Sequence, residues 1–415
     1  MEQRDEKDAA MNQRQESTPK RISYPRLYLQ QFAVGFTLML GMGLPGAFLP
    51  ILARELDPVG VLVGAVTSAW FVARIFIELP SGILSDRIGR ARLIIVGLAL
   101  SVLGAFLCAT SGSIYMLILG RAVWGLGTAF FFANNTALLM DMFEGDARAR
   151  AVGNLQGIEF IGAFIAAPIG AFIAEMLGYY SVFYIATAMI LISFSIAFLS
   201  RELRRVAGRS RRAASNRSLR RDLRSLKTWK FSVICIGVMT RFLVMQGLMS
   251  TTFQLYLNQS LSYSIESIGI VLGVRTAGFC AATFLSGQLA TRTGTKPIIV
   301  GGLLIQIISL YLYTVTGDFG GTLLIGLADG FGSGAVSITL VILLSEAVAA
   351  EVRGTAVGVY RTFQDIGGAL GPIMFMFVYE AVGRQTSFLL GAALLFASLV
   401  LEATLRTEHH KQEKR

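Results

Sequence analysis

Nine ionisable residues lie inside otherwise apolar stretches of this chain, away from the ends of those stretches: Arg74, Glu78, Arg121, Glu159, Arg241, Arg275, Asp329, Arg361 and Asp365. In hydrocarbon such groups are costly unless paired or wetted, so each asks for a partner or a task. A carboxyl in a low-dielectric site has its pKa raised toward neutrality, which suits reversible protonation. Glu159, Asp329 and Glu78 are therefore the candidates for handling a proton. Arg121, Arg241 and Arg275 outnumber the two acids Glu159 and Asp329 at similar depth, and such a positive excess would attract an anionic or carboxylated solute. The alternative is internal neutralisation, Asp329 with Arg241 or Arg275 and Glu159 with Arg121. Arg74 with Glu78, and Arg361 with Asp365, are spaced i, i+4 and can meet along one helix face. They read as structural pairs or parts of an inner gate. Asn134, Asn135, Gln246 and Gln254 offer both donor and acceptor for solute contact, although helix-to-helix bonding is the commoner use of such amides.

The elements that hold these groups are membrane helices. With 54% hydrophobic and 15% charged residues and a mean hydropathy of +0.61, the chain has too little polar material to cover a soluble domain. Residues 1–26 are polar with no apolar centre, so no cleavable signal peptide is expected. Cys108, Cys235 and Cys280 fall in apolar runs, an odd number that argues against a disulfide framework. Both histidines, His409 and His410, lie in the charged tail. No metal cluster, nucleophilic triad or nucleotide loop is visible, so an enzyme is not expected, no cofactor is expected, and any energy must come from a gradient.

Windows of about 19 residues place twelve spans near 27–53, 59–82, 93–110, 114–140, 151–176, 181–199, 231–256, 265–290, 297–315, 320–346, 355–380 and 386–405. Twelve crossings put both tails on one side. The loops opposite hold only Arg54 and Arg384 of the 37 Lys and Arg residues. Basic residues favour the cytoplasm, so both termini are expected there, in a multi-pass protein of the plasma membrane. The parts are then a tail at 1–26, six helices over 27–200, a basic cytoplasmic linker over 201–230, six helices over 231–405 and a tail at 406–415. The linker arginines suit anionic lipid headgroups better than nucleic acid, which is not an expected partner.

A gapless repeat of 205 residues joins the two halves. Gly64 aligns with Gly269, Gly82 with Gly287, Arg87 with Arg292, Gly89 with Gly294, Gly125 and Gly127 with Gly330 and Gly332, and Gly162 with Gly367. Parallel repeats of this kind are an architecture in which one half rocks against the other. In that frame GILSDRIGRAR, residues 82–92, resembles the signature turn after the second helix of the major facilitator superfamily. GQLATRTGTK is its degraded second copy, RAVWGLGTA at 121–129 resembles the family's helix 4 motif, and GGALGP at 367–372 resembles its G-x-x-x-G-P motif. The helix 5 counterpart GAFIAAP at 162–168 departs from that motif at Ala166 and in the position of Pro168.

The resemblance implies an all-α membrane fold of two six-helix bundles related by a pseudo-two-fold axis. It implies a monomeric secondary transporter working by alternating access, with a small-molecule substrate, protons and the lipid bilayer as partners. Helices 1, 4, 7 and 10 line the family's cavity, which turns Arg121, Arg241 and Asp329 inward, with Arg275, Asn134 and Gln246 as further substrate contacts. Gly82, Asp86, Arg87, Gly89, Arg90, Arg361 and Asp365 form the expected gating set, with Asp86 latching the halves near Arg353 or Arg361. The expected activity is export of a drug or metabolite; an importer of sugars or organic anions and a non-transporting solute sensor are the rivals.

Overall fold

In a computed structural model the chain is described over residues 25–57, 60–143, 145–207, 224–349 and 352–405, with some side chains inside helices also outside the description. Twelve helical rods cross it. The first, α1, runs Pro25–Gly43, tightens into a 3₁₀ turn at Leu44–Ala47 and resumes at Leu49–Leu56. Then follow α2 (Val61–Ile88), α3 (Arg90–Ala109), α4 (Ile114–Met142), α5 (Gly145–Leu177) and α6 (Tyr179–Leu199). The second series begins with α7 (Trp229–Val244, continued by Met245–Thr252 and Phe253–Gln259). It ends with α8 (Ile265–Thr293), α9 (Thr295–Val315), α10 (Phe319–Ala347), α11 (Arg353–Ala381) and α12 (Arg384–Ala403).

Ten of the rods are long and apolar enough to cross a membrane, and α2 contributes a shorter apolar stretch, Val61–Ile77. The rod that falls short, α11, carries Arg361 and Asp365 and lies against α2 of the other half. A helix buried against protein can be less apolar than one facing lipid. The helices start on side-chain caps where the sequence supplies them: Ser113, Thr228, Ser264 and Asp318 each accept a backbone N–H three residues on. Where the segment SGILSDRIGRARL was expected to turn, α2 stays helical to Ile88 and the reversal is made at Gly89, whose φ of 97° suits glycine. The expected linker likewise begins as a short helix, Arg201–Ala207.

Helix packing repeats with the sequence. In the first half α1 packs on α5 and α6, α2 on α4, and α3 on α4 and α6; each contact recurs six helices later. Gly125 presses on the backbone of Trp70 as Gly330 does on that of Arg275, and Gly127 meets Gly97 as Gly332 meets Gly302. All four residues of each set differ by the 205-residue period, as do the positive-φ glycines Gly89 and Gly294, and Gly178 and Gly383. The halves touch through α2 on α11 and α5 on α8, two contacts that exchange under the same shift.

The seam between halves is uneven with depth. On the face away from the chain ends, Arg54 pairs with Glu380 at 2.9 Å and Gln254 Nε2 donates to the Gly46 carbonyl at 3.3 Å. There Gly64 lies on the backbone of Pro372, Gly269 on Ala171 and Gly273 on Pro168. Toward the face that carries residues 25 and 405, Gly153 and Gly157 of α5, Gly287 of α8 and Gly358 of α11 have open space where a side chain would stand. Among the described residues the halves are closed together on the face away from the chain ends, and Gly157 and Gly287 border a space between α5 and α8 toward the terminal face.

Candidate functional site

Arg74 crosses to the other half, where its Nε donates to Asp365 at 3.1 and 3.3 Å. This corrects the expected pairing of Arg361 with Asp365. Both partners are largely buried, and a pair that deep is costly to break because each member would be left as an uncompensated charge. The link spans α2 and α11 near mid-depth, where Phe71 also packs onto Gly368.

In the first half Arg121 does not meet Glu159. Its guanidinium lies over the rings of Trp124 and Trp70, at 5.5 and 6.0 Å, and Arg74 covers Trp70 at 4.7 Å. Two indole faces stand in for a carboxylate, since the ring quadrupole attracts a cation most strongly when water is excluded. No described carboxylate pairs with Arg121, and its Nε is buried without a hydrogen bond. Glu159 faces α1 instead, its carboxylate against Gly35, and Arg361 is the cation that acts on it. Asn134 donates to the Phe130 carbonyl of its own helix at 2.8 Å, a structural use. Asn135, fully buried, has neither amide atom bonded.

In the second half Asp329 takes Arg275, through an Nε to Oδ2 contact of 2.5 Å, rather than Arg241. Its other oxygen is buried without a partner. Arg241 points to α10, where Nη2 donates to the backbone and side chain of Ser333 at 3.2 and 3.3 Å. Gln246 sits in the π-helical turn Met245–Thr252, and its backbone carbonyl accepts from the Thr251 hydroxyl at 2.8 Å. Such wide turns gather at functional sites. Three features escape a reading of the sequence: this π turn, the indole bed under Arg121, and Glu402 of α12, a buried carboxylate set against Gly237. The signals available were three tryptophans in the whole chain, two of them bracketing a buried arginine, and a serine four residues before Glu402.

A cavity of about 750 Å³ opens between α5 and α8. Ile161 and Phe164 line it from α5, and Phe279, Cys280, Thr283 and Phe284 from α8, with Gln288 adding an amide. None of its lining residues is charged. The expected substrate residues Arg121, Arg241, Asp329 and Arg275 are thus not in its wall. Of the expected gating set, Gly89 makes the α2–α3 turn and Arg90 donates to the Ala137 carbonyl of α4. The side chains of Glu78, Asp86, Arg87 and Arg353, with Gly82, lie outside the described residues. All three cysteines are free, and Cys280 alone of them is not buried.

The model of the Major Facilitator Superfamily matches residues 32–253 and again 234–415. Quinolone resistance protein NorA of Staphylococcus aureus (strain COL) is 24% identical over 343 residues, 82% of this chain and 86% of the relative. Multidrug resistance protein 1 of Bacillus subtilis (strain 168) is 23% identical over 342 residues, with the same shares covered. The crystal structure of a point mutant of the nucleoside transporter NupG superposes with a TM-score of 0.74 at 14% identity, over 92% of this chain and 100% of that one.

Proposed function

Because the chain belongs to the Major Facilitator Superfamily, we propose that it is a secondary transporter that exports apolar, aromatic organic solutes from the cytoplasm in exchange for protons. The observation that carries this reading is the α5–α8 cavity, aromatic, uncharged and of small-molecule size. It favours a neutral or amphipathic solute over the anion that the arginine excess suggested. The names of the two bacterial relatives, quinolone resistance and multidrug resistance, support the same direction. The terminal face is taken as cytoplasmic from the distribution of basic residues. The described conformation is then inward-facing, with its cleft open to the compartment that holds the substrate.

Solute and proton each bias one equilibrium between inward- and outward-facing states through their different affinities for the two. Asp329 is the proposed proton site, because one oxygen is held by Arg275 and the other is free to take the proton. Arg74–Asp365 and Arg54–Glu380 join the halves and are the links that rearrangement must alter. The test is reconstitution: proteoliposomes should accumulate a fluorescent fluoroquinolone only when their lumen is more acidic than the medium, so that protons leave as the solute enters. Binding without flux would replace the transporter by a sensor. Alkylation of Cys280 by a maleimide should proceed in the inward-facing state and slow when the probe fills the cleft.

A further inference from the structure

The interior of the second half holds a run of buried polar groups that its repeat partner lacks. Glu402 lies at the terminal-face end of α12, 3% exposed, with Ser398 donating to one oxygen at 3.0 Å and the other oxygen without a partner. The carboxylate rests on Gly237, a site where any larger residue would collide with it. One turn deeper on α7 is Arg241, whose Nε is also unbonded. Tyr360 of α11 acts electrostatically on both. Arg241 in turn feels Asp329 and Arg275, and beyond them the buried hydroxyl of Tyr313 has no partner either. Four groups along this line therefore carry an unsatisfied atom: Glu402, Arg241, Asp329 and Tyr313. Buried polar atoms are rarely left so, and the usual partner is an ordered water. At Glu402 there is room for one. A cavity of about 10 Å³, lined also by Lys230, Thr295 and Lys296, is at the roughly 10–15 Å³ needed to hold a single water molecule.

The repeat provides an internal control. The first-half equivalents of Glu402, Tyr360, Arg241, Asp329, Arg275 and Tyr313 are Ala197, Leu155, Phe36, Trp124, Trp70 and Cys108. Every ionic position is apolar or aromatic there. A feature required merely to fold a six-helix bundle would be expected in both copies, so the polar line answers to a task of the second half alone.

We propose that Glu402 is the cytoplasm-side proton acceptor of a hydrated path inside the second bundle, delivering to and collecting from Asp329. A proton from bulk water forms an O–H bond on Glu402 and leaves to a water molecule as that bond breaks. It then forms the matching bond on Asp329, so one carboxylate is restored as the other is neutralised, and no redox partner takes part. The groups that face Glu402 are Lys230 and Arg241 of α7, Lys296 at the start of α9, Tyr360 of α11 and Ser398 of its own helix. Lys296 is tied to the Ala403 carbonyl and leaves the carboxylate to Arg241, which stays charged beside the path. The path runs through the α7, α10, α11 and α12 interior, apart from the α5–α8 solute cleft.

This inference rests on the proton-exchange reading, and the experiment separates the two. Full-length protein in proteoliposomes is assayed with a fluorescent fluoroquinolone, both for accumulation driven by a pH gradient and for counterflow without one. The infrared carbonyl band of protonated buried carboxyls is followed against pH. Glu402→Gln should lower gradient-driven accumulation at least about tenfold, a modest share of what a positioned proton-transfer group contributes, while counterflow persists and one titrating carboxyl band disappears. Ser398→Ala, a gentler change should Glu402→Gln fail to insert, should move the pH midpoint of accumulation. If Asp329→Asn abolishes accumulation while Glu402→Gln and Ser398→Ala behave as the wild type, the path is overturned and proton exchange stands. If wild-type transport ignores the gradient, both readings fall.

Discussion

The two halves solve one packing problem with opposite chemistry. Between α2 and α4 the contact at Gly125 is flanked by Trp70 and Trp124, and Arg121 lies on their rings; between α8 and α10 the contact at Gly330 is flanked by Arg275 and Asp329, an ion pair. Backbone, glycine and helix crossing are shared by the repeat, so the difference is confined to side chains. It teaches that the fold does not need an ion pair at this crossing. The pair in the second half is therefore not a packing requirement, while the first half lays Arg121 on aromatic faces and places no carboxylate at the equivalent positions.

The comparison can be broken most severely at Asp329. Asp329→Ala strands Arg275 in the interior, and removing one member of a buried pair costs about 3–5 kcal/mol; a large loss of folded protein in detergent melting is expected, and none would mean that the pair is wetted. Gly125→Ala and Gly330→Ala should each destabilise by about 1–3 kcal/mol through forced overpacking, and by similar amounts if the two crossings are equivalent. Thermal melts that differ widely between them would show that one crossing is looser. Trp70→Leu keeps an apolar filling but removes a ring under Arg74 and Arg121, for a loss of about 0.5–2 kcal/mol, read as a shift in melting and in Cys280 alkylation rate. Arg54→Ala, at the partly exposed Arg54–Glu380 pair, should cost at most about 1 kcal/mol and speed opening of the closed face, measured by distance distributions between spin labels. The smallest effect on stability is expected from Arg275→Met with Asp329→Leu, since exchanging a buried pair for apolar residues is often neutral. That variant sharpens the contrast, because it should stay folded while losing its response to a pH gradient.

Much of this architecture is legible in the sequence. Apolar runs mark the twelve rods, and the 205-residue register predicts which helices share contacts, because glycines such as Gly125 and Gly330 are kept where backbones touch. The link from Arg74 to Asp365 is not legible: the two are 291 residues apart, and local spacing offers only Glu78. Glu402 is passed over because a carboxylate near the end of a span ordinarily reaches the interface, and only the glycine on α7 reveals that it is buried. Arg121 on its indoles shows a further limit. Charge counting looks for an opposite charge, whereas ring faces neutralise nothing yet still hold a cation. The extension of α2 past Gly82 to Ile88 is missed because two glycines and a cluster of charges look like a loop, although the positive-φ position is at Gly89 alone.

The closed seam rests on glycines set against proline and alanine, and among the described residues few polar links cross it, Arg54–Glu380 being one of them. Sliding such a surface requires little rotamer rearrangement, so in the cycle proposed above the time this face stays shut is governed by a small number of bonds. The Arg54–Glu380 pair is partly exposed and is one that dissolved ions can screen, the screening length being about 8 Å at physiological ionic strength and about 3 Å at 1 M. In the cycle proposed above, salinity on that side of the membrane becomes a setting on the cycle time, acting without occupying any binding site.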